Sequence, residues 1–438
     1  MAKILKFFQT IRNNWKKSVV GVAALSYGVS YSKDVYDTEQ LMRQYCESAS
    51  QYGDAACPTH MKHRHVTIIL NPNAKKGKAK KLFQNYCEPL LHLAGIAVTV
   101  IQTESENEAR KIIMNLNTPT DAIIVAGGDG TLSDVLTGLV RKYNSNINSV
   151  KQCPIGILPL GQTNRVAKSL YQEYDRLSDV SQIIEATMAI VSEKSKMMDM
   201  IEVEPVEENP EEPVKPIYAM GTIEWGAWKD AHAFAKKYWY WGPLRKYATY
   251  ILNGYKGSLN WNCDATLKYT NPCNGCSRCH RSDFLLNESI NTNKRWWHAF
   301  IPKKGITMTE DVDYSTVINE QCGILHELPV STSELHIETS NIHKSQDLSP
   351  ASLKVKTGPK DVGYFSFVNL GWKQENDNNE PLCVQILEAK NIELTPQQMK
   401  KENTLYIDNE EYELKTVKIK LLSQAVKVFC PQLIGSNV

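Results

Sequence analysis

The sequence predicts an α/β N-terminal domain built on a parallel, Rossmann-like sheet, then a β-rich, sandwich-like second domain, with a membrane-associated helix at the start of the chain. Three observations carry this. Between residues 65 and 196, β-branched apolar runs alternate with segments whose apolar residues recur at helical spacing. From residue 197 to about 430 the pattern changes to short alternating runs of the β kind, as at 198–203, 217–223, 334–338, 363–370 and 404–407, with a return of the last strands to the first domain left open. The first 33 residues, finally, contain no acidic side chain but six basic ones: Lys3, Lys6, Arg12, Lys16, Lys17 and Lys33.

The basic start places Ile4, Phe7, Phe8, Ile11 and Trp15 on one helical face and leads into the apolar run SVVGVAALSYGVSY at 18–31. A spanning helix needs about 17–25 apolar residues, so this run is short. It fits a secretory signal peptide, a mitochondrial import signal kept as an anchor, or a helix lying in the interface. The long basic region and the lack of a small-x-small cleavage site favour mitochondrial import followed by membrane association. Residues 34–64 read as a polar linker without a clear pattern.

The α/β unit begins with VTIIL at 66–70, a continuous apolar run stopped by Asn71-Pro72, which reads as a buried strand. Leu82, Phe83, Tyr86, Leu90 and Leu91 give the next helix its face, and residues 96–101 form the second strand. Ser105 with Glu108 makes a capping box for a helix carrying Ile112, Ile113 and Leu116. AIIVA at 122–126 is the third strand. Leu132, Val135, Leu136, Leu139 and Val140 then recur at helical spacing, and residues 155–158 are the fourth strand. In such a sheet, ligands bind beyond the carboxyl ends of the strands.

Three loops fall at that edge. After the third strand, Gly127, Gly128, Asp129, Gly130 and Thr131 allow a tight turn and close backbone approach to an anion at a helix start. Thr131 with Asp134 is expected to cap that helix, leaving Asp129 projecting into the cleft. After the first strand, Asn71, Pro72, Gly77 and Lys78 lie in a loop with further lysines at 75, 76, 80 and 81. After the fourth, Gly161, Thr163 and Asn164 offer hydroxyl and amide groups. The pattern is neither a Walker loop nor the dinucleotide G-x-G-x-x-G.

These motifs resemble those of the diacylglycerol and sphingosine kinase superfamily of lipid kinases: G-G-D-G-T at 127–131, the N-P loop at 71–77 and L-G-x-T-N at 160–164. The likeness is most extensive to its mitochondrial, acylglycerol-phosphorylating branch. There it also takes in F-F-x-T-I-R-N-N-W-K-K at 7–17, the aromatic run Lys237-Tyr238-Trp239-Tyr240 with Gly242-Pro243-Leu244, and V-K-I-K-L-L at 417–422. The resemblance implies an ATP- and Mg²⁺-dependent kinase converting monoacylglycerol and diacylglycerol to lysophosphatidic and phosphatidic acid, with ceramide or sphingosine as further substrates. Asp129 is then the catalytic base or the metal-linked carboxylate. Asp230, in W-G-A-W-K-D, is carried over as the group facing the lipid headgroup, which makes the β-rich domain at 197–430 the lipid-binding one. Asp408 and Glu410 stand for a D-G-E motif that binds nucleotide or metal; Asn409 replaces its Gly, and Asn tolerates positive φ better than most residues. The implied setting is the mitochondrial inner membrane, facing the intermembrane space. The alternative it brings is a structural subunit of the inner-membrane carrier translocase, a role that needs no catalysis.

The expected partners are therefore a glycerolipid or sphingolipid and a membrane surface. Nucleic acid is not among them, because 50 Lys+Arg against 48 Asp+Glu leave a net charge of only +2. The aromatic run at 238–241 fits either a core or an interfacial surface. Eleven Cys exclude a small disulfide-stapled framework. Seven are scattered, among them Cys322. Cys263 leads a Cys-containing inserted segment of about 263–300, in which Cys273, Cys276, Cys279 and His280 have the types and C-x₂-C steps of a zinc site. Cys276-Ser-Arg-Cys279-His280 also matches the C-x-x-C-H pattern of haem attachment, but nothing nearby is an obvious second axial ligand; a disulfide, or no function, fits the segment as well as zinc does.

Overall fold

The computed structural model describes residues 15–54, 63–105, 107–171, 177–206, 214–255, 263–273, 275–279, 316–342, 351–360, 362–376, 383–397 and 404–431. The chain opens with helix α1, Trp15–Gly53. Its second half carries Leu41, Met42, Tyr45, Cys46 and Ala49, a stripe recurring every three to four residues that packs on Leu90 and Ile184. Residues 34–53, expected as linker, thus belong to a docked helix; charged residues between the stripe positions hide its periodicity. The first half exposes Val20, Val22, Leu25 and Tyr27. Among the described residues no helix is long and apolar enough to cross a membrane.

Strands β1 (His65–Leu70), β2 (Ala97–Gln102), β3 (Ala122–Gly127) and β4 (Ile155–Pro159) run parallel in the order β2-β1-β3-β4. All of β3 and β4 is buried, because helices cover both faces, and that burial explains the unbroken apolar runs. Helix α2, Glu108–Met114, packs against helix α3, Asp129–Lys142. Helices α4, Arg165–Leu170, and α5, Ser178–Val191, follow β4.

The sheet does not end at β4: the last strand of the chain returns to it, and the expected parallel sheet is corrected to a mixed one. After β5 (Ser195–Pro205) and β6 (Ile217–Ala219), the chain runs through β7 (Thr222–Gly226), helix α6 (Ala227–Phe234) and helix α7 (Arg245–Tyr255). Strands β8 (Cys263–Thr270), β9 (Leu325–Thr332), β10 (Glu334–Glu338) and β11 (Leu353–Thr357) follow, then helix α8 (Tyr364–Asn376) and β12 (Gln385–Ala389) to β16, namely Asn391–Pro396, Thr404–Ile407, Glu410–Glu413 and Val417–Phe429; the run at 363–370, expected as a strand, is thus helical, with Phe367 packed on Trp228 and Tyr250. Strand β16 pairs with β4 in parallel at Val428 and Ile155, and antiparallel with β5 and β13. The result is one mixed ten-stranded sheet, β2-β1-β3-β4-β16-β13-β8-β9, with β5 and β6 attached through β16. The sequence of β16 suits both neighbours. Its first half alternates buried Val417, Ile419 and Leu421 with exposed lysines, whereas its end, from Ala425, is largely apolar and joins the buried core.

The other strands form a six-stranded sheet, β12-β11-β10-β7-β14-β15, with antiparallel pairings throughout. Its inner residues Ile223, Leu335, Ile337, Val355 and Leu405 pack with Ile201, Leu267, Leu394 and Ile419 of the mixed sheet, so the second half is sandwich-like as expected. A small helical layer, α6 to α8, sits on Trp228, Tyr250 and Phe367.

The α2–α3 contact rests on Gly138, where a Cβ would lie 2.7 Å from the Arg110 carbonyl oxygen and 3.0 Å from Ile113 Cβ. Gly138→Ala is expected to destabilise the protein by about 1–3 kcal/mol through overpacking. That outcome is opposite in sign to the intrinsic helix preference for Ala of about 1 kcal/mol. Urea-denaturation midpoints of the two proteins measure the difference.

Candidate functional site

The loops after β1, β3 and β4 meet at the carboxyl edge of the parallel strands. Gly128 and Gly161 are in backbone contact: a Cβ on Gly161 would lie 2.3 Å from Gly128 Cα, a separation that leaves room for no side chain at either position. The N–H of Asp129 donates to the Thr163 carbonyl at 3.2 Å, and that of Leu160 to the Gly127 carbonyl at 3.2 Å. From the first loop, Asn71 Nδ2 donates to Thr131 Oγ1 at 3.3 Å. Asn164 closes its own turn, accepting from Gly161 N at 3.0 Å and donating to its carbonyl at 3.0 Å. Pro72 is half-buried and Gly77 and Lys78 are exposed, with Gly77 at φ +77°, and among the described residues no hydrogen bond or ion pair joins these three to the other loops' site residues; of the loop lysines, Lys75 is engaged by Asp179 at 2.7 Å.

Two details differ from expectation. Helix α3 starts at Gly128 without a side-chain cap; Thr131 turns to Asn71, and Asp134 pairs with Arg110 at 2.7 Å. Asp129 is buried rather than projecting. Its carboxylate accepts the N–H groups of Arg165 at 3.0 Å and Val166 at 3.5 Å, closing the start of α4. Burial raises its pKa to about 6 against the pull of Arg165.

The second half of the chain supplies the opposite wall. Asp408 and Asn409 both take left-handed φ, 46° and 68°, so the Asn-for-Gly replacement keeps the turn. Asp408 is buried and accepts from the backbone N–H groups of Met220 at 3.0 Å, Gly221 at 3.0 Å and Thr222 at 2.8 Å. Burial, then the nearby Asp129, pushes its pKa up to about 7. Glu410 reaches across to α3, where a Cβ on Gly130 would overlap its carboxylate. The three acids Asp129, Asp408 and Glu410, far apart in sequence, thus gather at the G-G-D-G-T turn.

Beside them lies a polar pocket lined by Thr163, Arg165, Glu224, Lys229, His336 and Asn409. Glu224 pairs with Arg165 and Lys229 and lies 3.5 Å from His336 Nδ1; Lys229 also bonds Asn409. Although burial opposes it, these cations hold the Glu224 carboxyl well below its ordinary range. His336 is bonded in turn to Glu338 at 3.1 Å, and Glu338 to Lys356. Sequence reasoning missed this group. The available signal was a lone carboxylate inside the otherwise buried run T-I-E-W-G, and a His two residues from a Glu on one strand face.

Asp230 follows Lys229 on α6. Its side chain meets the Tyr406 hydroxyl, and burial raises its pKa to about 7; the neighbouring Trp228, Lys229 and His232 line the pocket. Cys273, Cys276 and Cys279 come together, joined by Cys322, the residue expected to be a scattered thiol. His280 lies outside the described residues. Cys263 is separate, buried in β8 with its thiol towards the Ser333 carbonyl.

The raised carboxyl pKa values set a pH dependence. Between roughly pH 4 and 7 the folded protein holds a proton on Asp408 that the unfolded chain has released, so this group's contribution to stability falls as pH rises through that window. Asp408→Asn is therefore expected to flatten the decline in Tm between pH 5 and pH 8 in nucleotide-free and metal-free buffer. Thermal melts of the two proteins across that range measure it.

Comparison with known proteins fits this arrangement. A family model described as the diacylglycerol kinase catalytic domain matches residues 65–203, and one described as acylglycerol kinase C-terminal matches residues 220–434. The chain is 32% identical to "Acylglycerol kinase, mitochondrial" of Xenopus laevis, over 98% of this chain and 96% of the relative, and 30% identical to the Homo sapiens protein of the same name, over 97% and 96%. Sphingosine kinase 1 of Rattus norvegicus is 29% identical over 44% of this chain and 49% of its own. A solved Bacillus anthracis structure assigned as a diacylglycerol kinase superposes with a TM-score of 0.50 at 14% identity, covering 86% of this chain and 100% of that one, a likeness of fold alone. With near full-length identity to these relatives and both family models matched in order, the chain belongs to the acylglycerol kinase family of lipid kinases.

Proposed function

We propose that this lipid kinase transfers the γ-phosphoryl group of ATP to the free hydroxyl of monoacylglycerol and diacylglycerol, giving lysophosphatidic and phosphatidic acid, with ceramide or sphingosine as further acceptors. The observation that carries the reading is the junction of the three loops with the 408–410 turn around Gly130. In this reading the nucleotide phosphates lie on the backbone of Gly127, Gly128 and Gly130 at the start of α3, with Asn71, Gly77, Lys78, Gly161, Thr163 and Asn164 around them.

Mg²⁺ fits the donors at this turn. Asp129, Asp408 and Glu410 are hard oxygen groups crowded enough that two of them resist ionisation without a cation. When bound there, Mg²⁺ would supply charge neutralisation for the phosphates. The protein's own part is to orient and to move a proton. The acceptor hydroxyl oxygen forms a bond to the γ-phosphorus as the bond to the bridging β-oxygen breaks and ADP departs; the hydroxyl proton passes to Asp129, whose pKa burial raises to about 6, towards the range of an effective base. Arg165 and Lys229 offset charge at the phosphates, and the Lys229–Asp230 end of α6 orients the headgroup.

The setting proposed is the mitochondrial inner membrane, facing the intermembrane space. Its support is the naming of the relatives, the exposed apolar half of α1, and an aromatic apron beside the pocket. Trp239, Tyr240, Trp241 and Tyr255 are exposed there at 74%, 63%, 46% and 85%, next to exposed Lys236 and Lys237. That combination suits an anionic headgroup boundary. The same exposed half of α1 would serve the alternative reading, a carrier-translocase subunit with no catalytic task.

With radiolabelled ATP and a panel of glycerolipids and sphingolipids, Asp129→Asn is expected to lower turnover by about 10³-fold or more and to leave folding and membrane attachment unchanged; undiminished turnover removes Asp129 from its role. Trp239→Ala combined with Trp241→Ala is expected to weaken cosedimentation with anionic vesicles by about tenfold, with solution-phase ATP binding unaltered.

A further inference from the structure

Outside the kinase site, the described residues bring four thiols to one point. Cys273, Cys276, Cys279 and Cys322 have sulfur atoms all within 4.8 Å of one another. The Cys276–Cys279 and Cys279–Cys273 sulfur separations are both 3.7 Å. A disulfide needs about 2.05 Å. Four sulfurs at about 2.3 Å from a central zinc ion, by contrast, stand about 3.8 Å apart at the corners of a tetrahedron. The observed spacing is that of metal ligands.

The backbone around the thiols is built to hold them. Cys273, Cys276 and Cys279 follow one another at C-x₂-C steps through a turn closed by Cys279 N–H to the Cys276 carbonyl at 3.1 Å. Cys322 comes from a second turn, closed by its N–H to the Asn319 carbonyl at 3.2 Å. The two turns are joined directly. Ser277 N–H donates to the Val317 carbonyl at 2.8 Å, Arg278 Nη1 to the Glu320 carbonyl at 2.9 Å, and Asn319 Nδ2 to the Cys273 sulfur at 3.3 Å. That last donor suits a thiolate better than a thiol, because a metal-bound sulfur carries charge and accepts.

We propose that these four cysteines form a closed Cys₄ structural zinc site that clasps the open end of the β8–β9 hairpin. The hairpin's last register pair is Thr270 with Leu325, and the ligands lie just beyond it on either side. Cys279 and Cys322 are separated by 42 residues in the sequence, so the ion ties together two distant parts of the chain at the edge of the mixed sheet. Soft thiolates in a tetrahedral set select zinc over the hard Mg²⁺ of the kinase site. The set also takes up both thiols of the C-x-x-C pair that haem attachment would need.

Elemental analysis and X-ray absorption on the full-length protein, purified without chelator, test this. The expected result is about one zinc per chain with four sulfur ligands at about 2.3 Å. Cys322→Ser and Cys276→Ser each should drop zinc below about a tenth of an equivalent, whereas Cys383→Ser, Cys430→Ser and His280→Ala should retain it. Independently of how the variants fold, titrating wild-type protein with a mercurial should release zinc as these four thiols are consumed. Absence of zinc, iron in its place, a nitrogen ligand in the absorption spectrum, zinc retained by Cys322→Ser, or a disulfide among these four residues in peptide mapping would overturn the site.

Discussion

The site depends on the backbone contact between the loop after β3 and the loop after β4. Gly128 and Gly161 touch without side chains between them, and the Asp129 carboxylate spans the same gap to close the start of α4. With these two loops locked together, the first turn of α3 keeps its orientation, and the residues that come later in the chain have a fixed surface to meet. The arrangement is an electrostatic compromise. Burial raises the pKa of both Asp129 and Asp408, the charge of Asp129 raises that of Asp408 further, and the backbone N–H groups that hold them do not fully offset the cost of burial. A fold tolerates such crowding where a cation is to be received.

Much of this was legible from residues alone. Unbroken β-branched runs at 66–70 and 122–126 announced strands buried on both faces, and the glycines at 127, 128 and 130 announced a tight turn at a ligand edge. The D-N-E turn was found only through resemblance, and Asn409 adopts there the left-handed backbone that Gly takes readily. What sequence could not give was pairing at long range. Nothing in V-K-I-K-L-L says that its strand ends beside β4, because partner choice is set by the shape of the whole sheet and not by local periodicity. For the same reason Cys322 was read as a scattered thiol: a gap of more than forty residues separates it from the thiols it joins. Likewise, α1 beyond residue 33 was hidden by charges between its packing positions.

The pocket shows a different kind of omission. Arg165, Glu224, Lys229 and His336 come from a helix start, a strand, a second helix and another strand, and each looks ordinary in its own segment. Their meaning comes from mutual burial, since a carboxylate in the core is affordable only with cations gathered around it. Of the four, Glu224 and His336 carried a local anomaly, as polar residues in fully buried strands.

The path of β16 also bears on when the enzyme becomes an enzyme. Its final residues complete the layer that begins at residue 65, and the acids at 408 and 410 meet a turn almost three hundred positions earlier. A chain that emerges from the ribosome, or threads through a membrane, in N-to-C order therefore carries the three glycine-bearing loops in unfinished form for nearly its whole passage. On the function proposed above, phosphoryl transfer waits until the last strand is in place, and prematurely terminated products are left with an open sheet edge and an incomplete site.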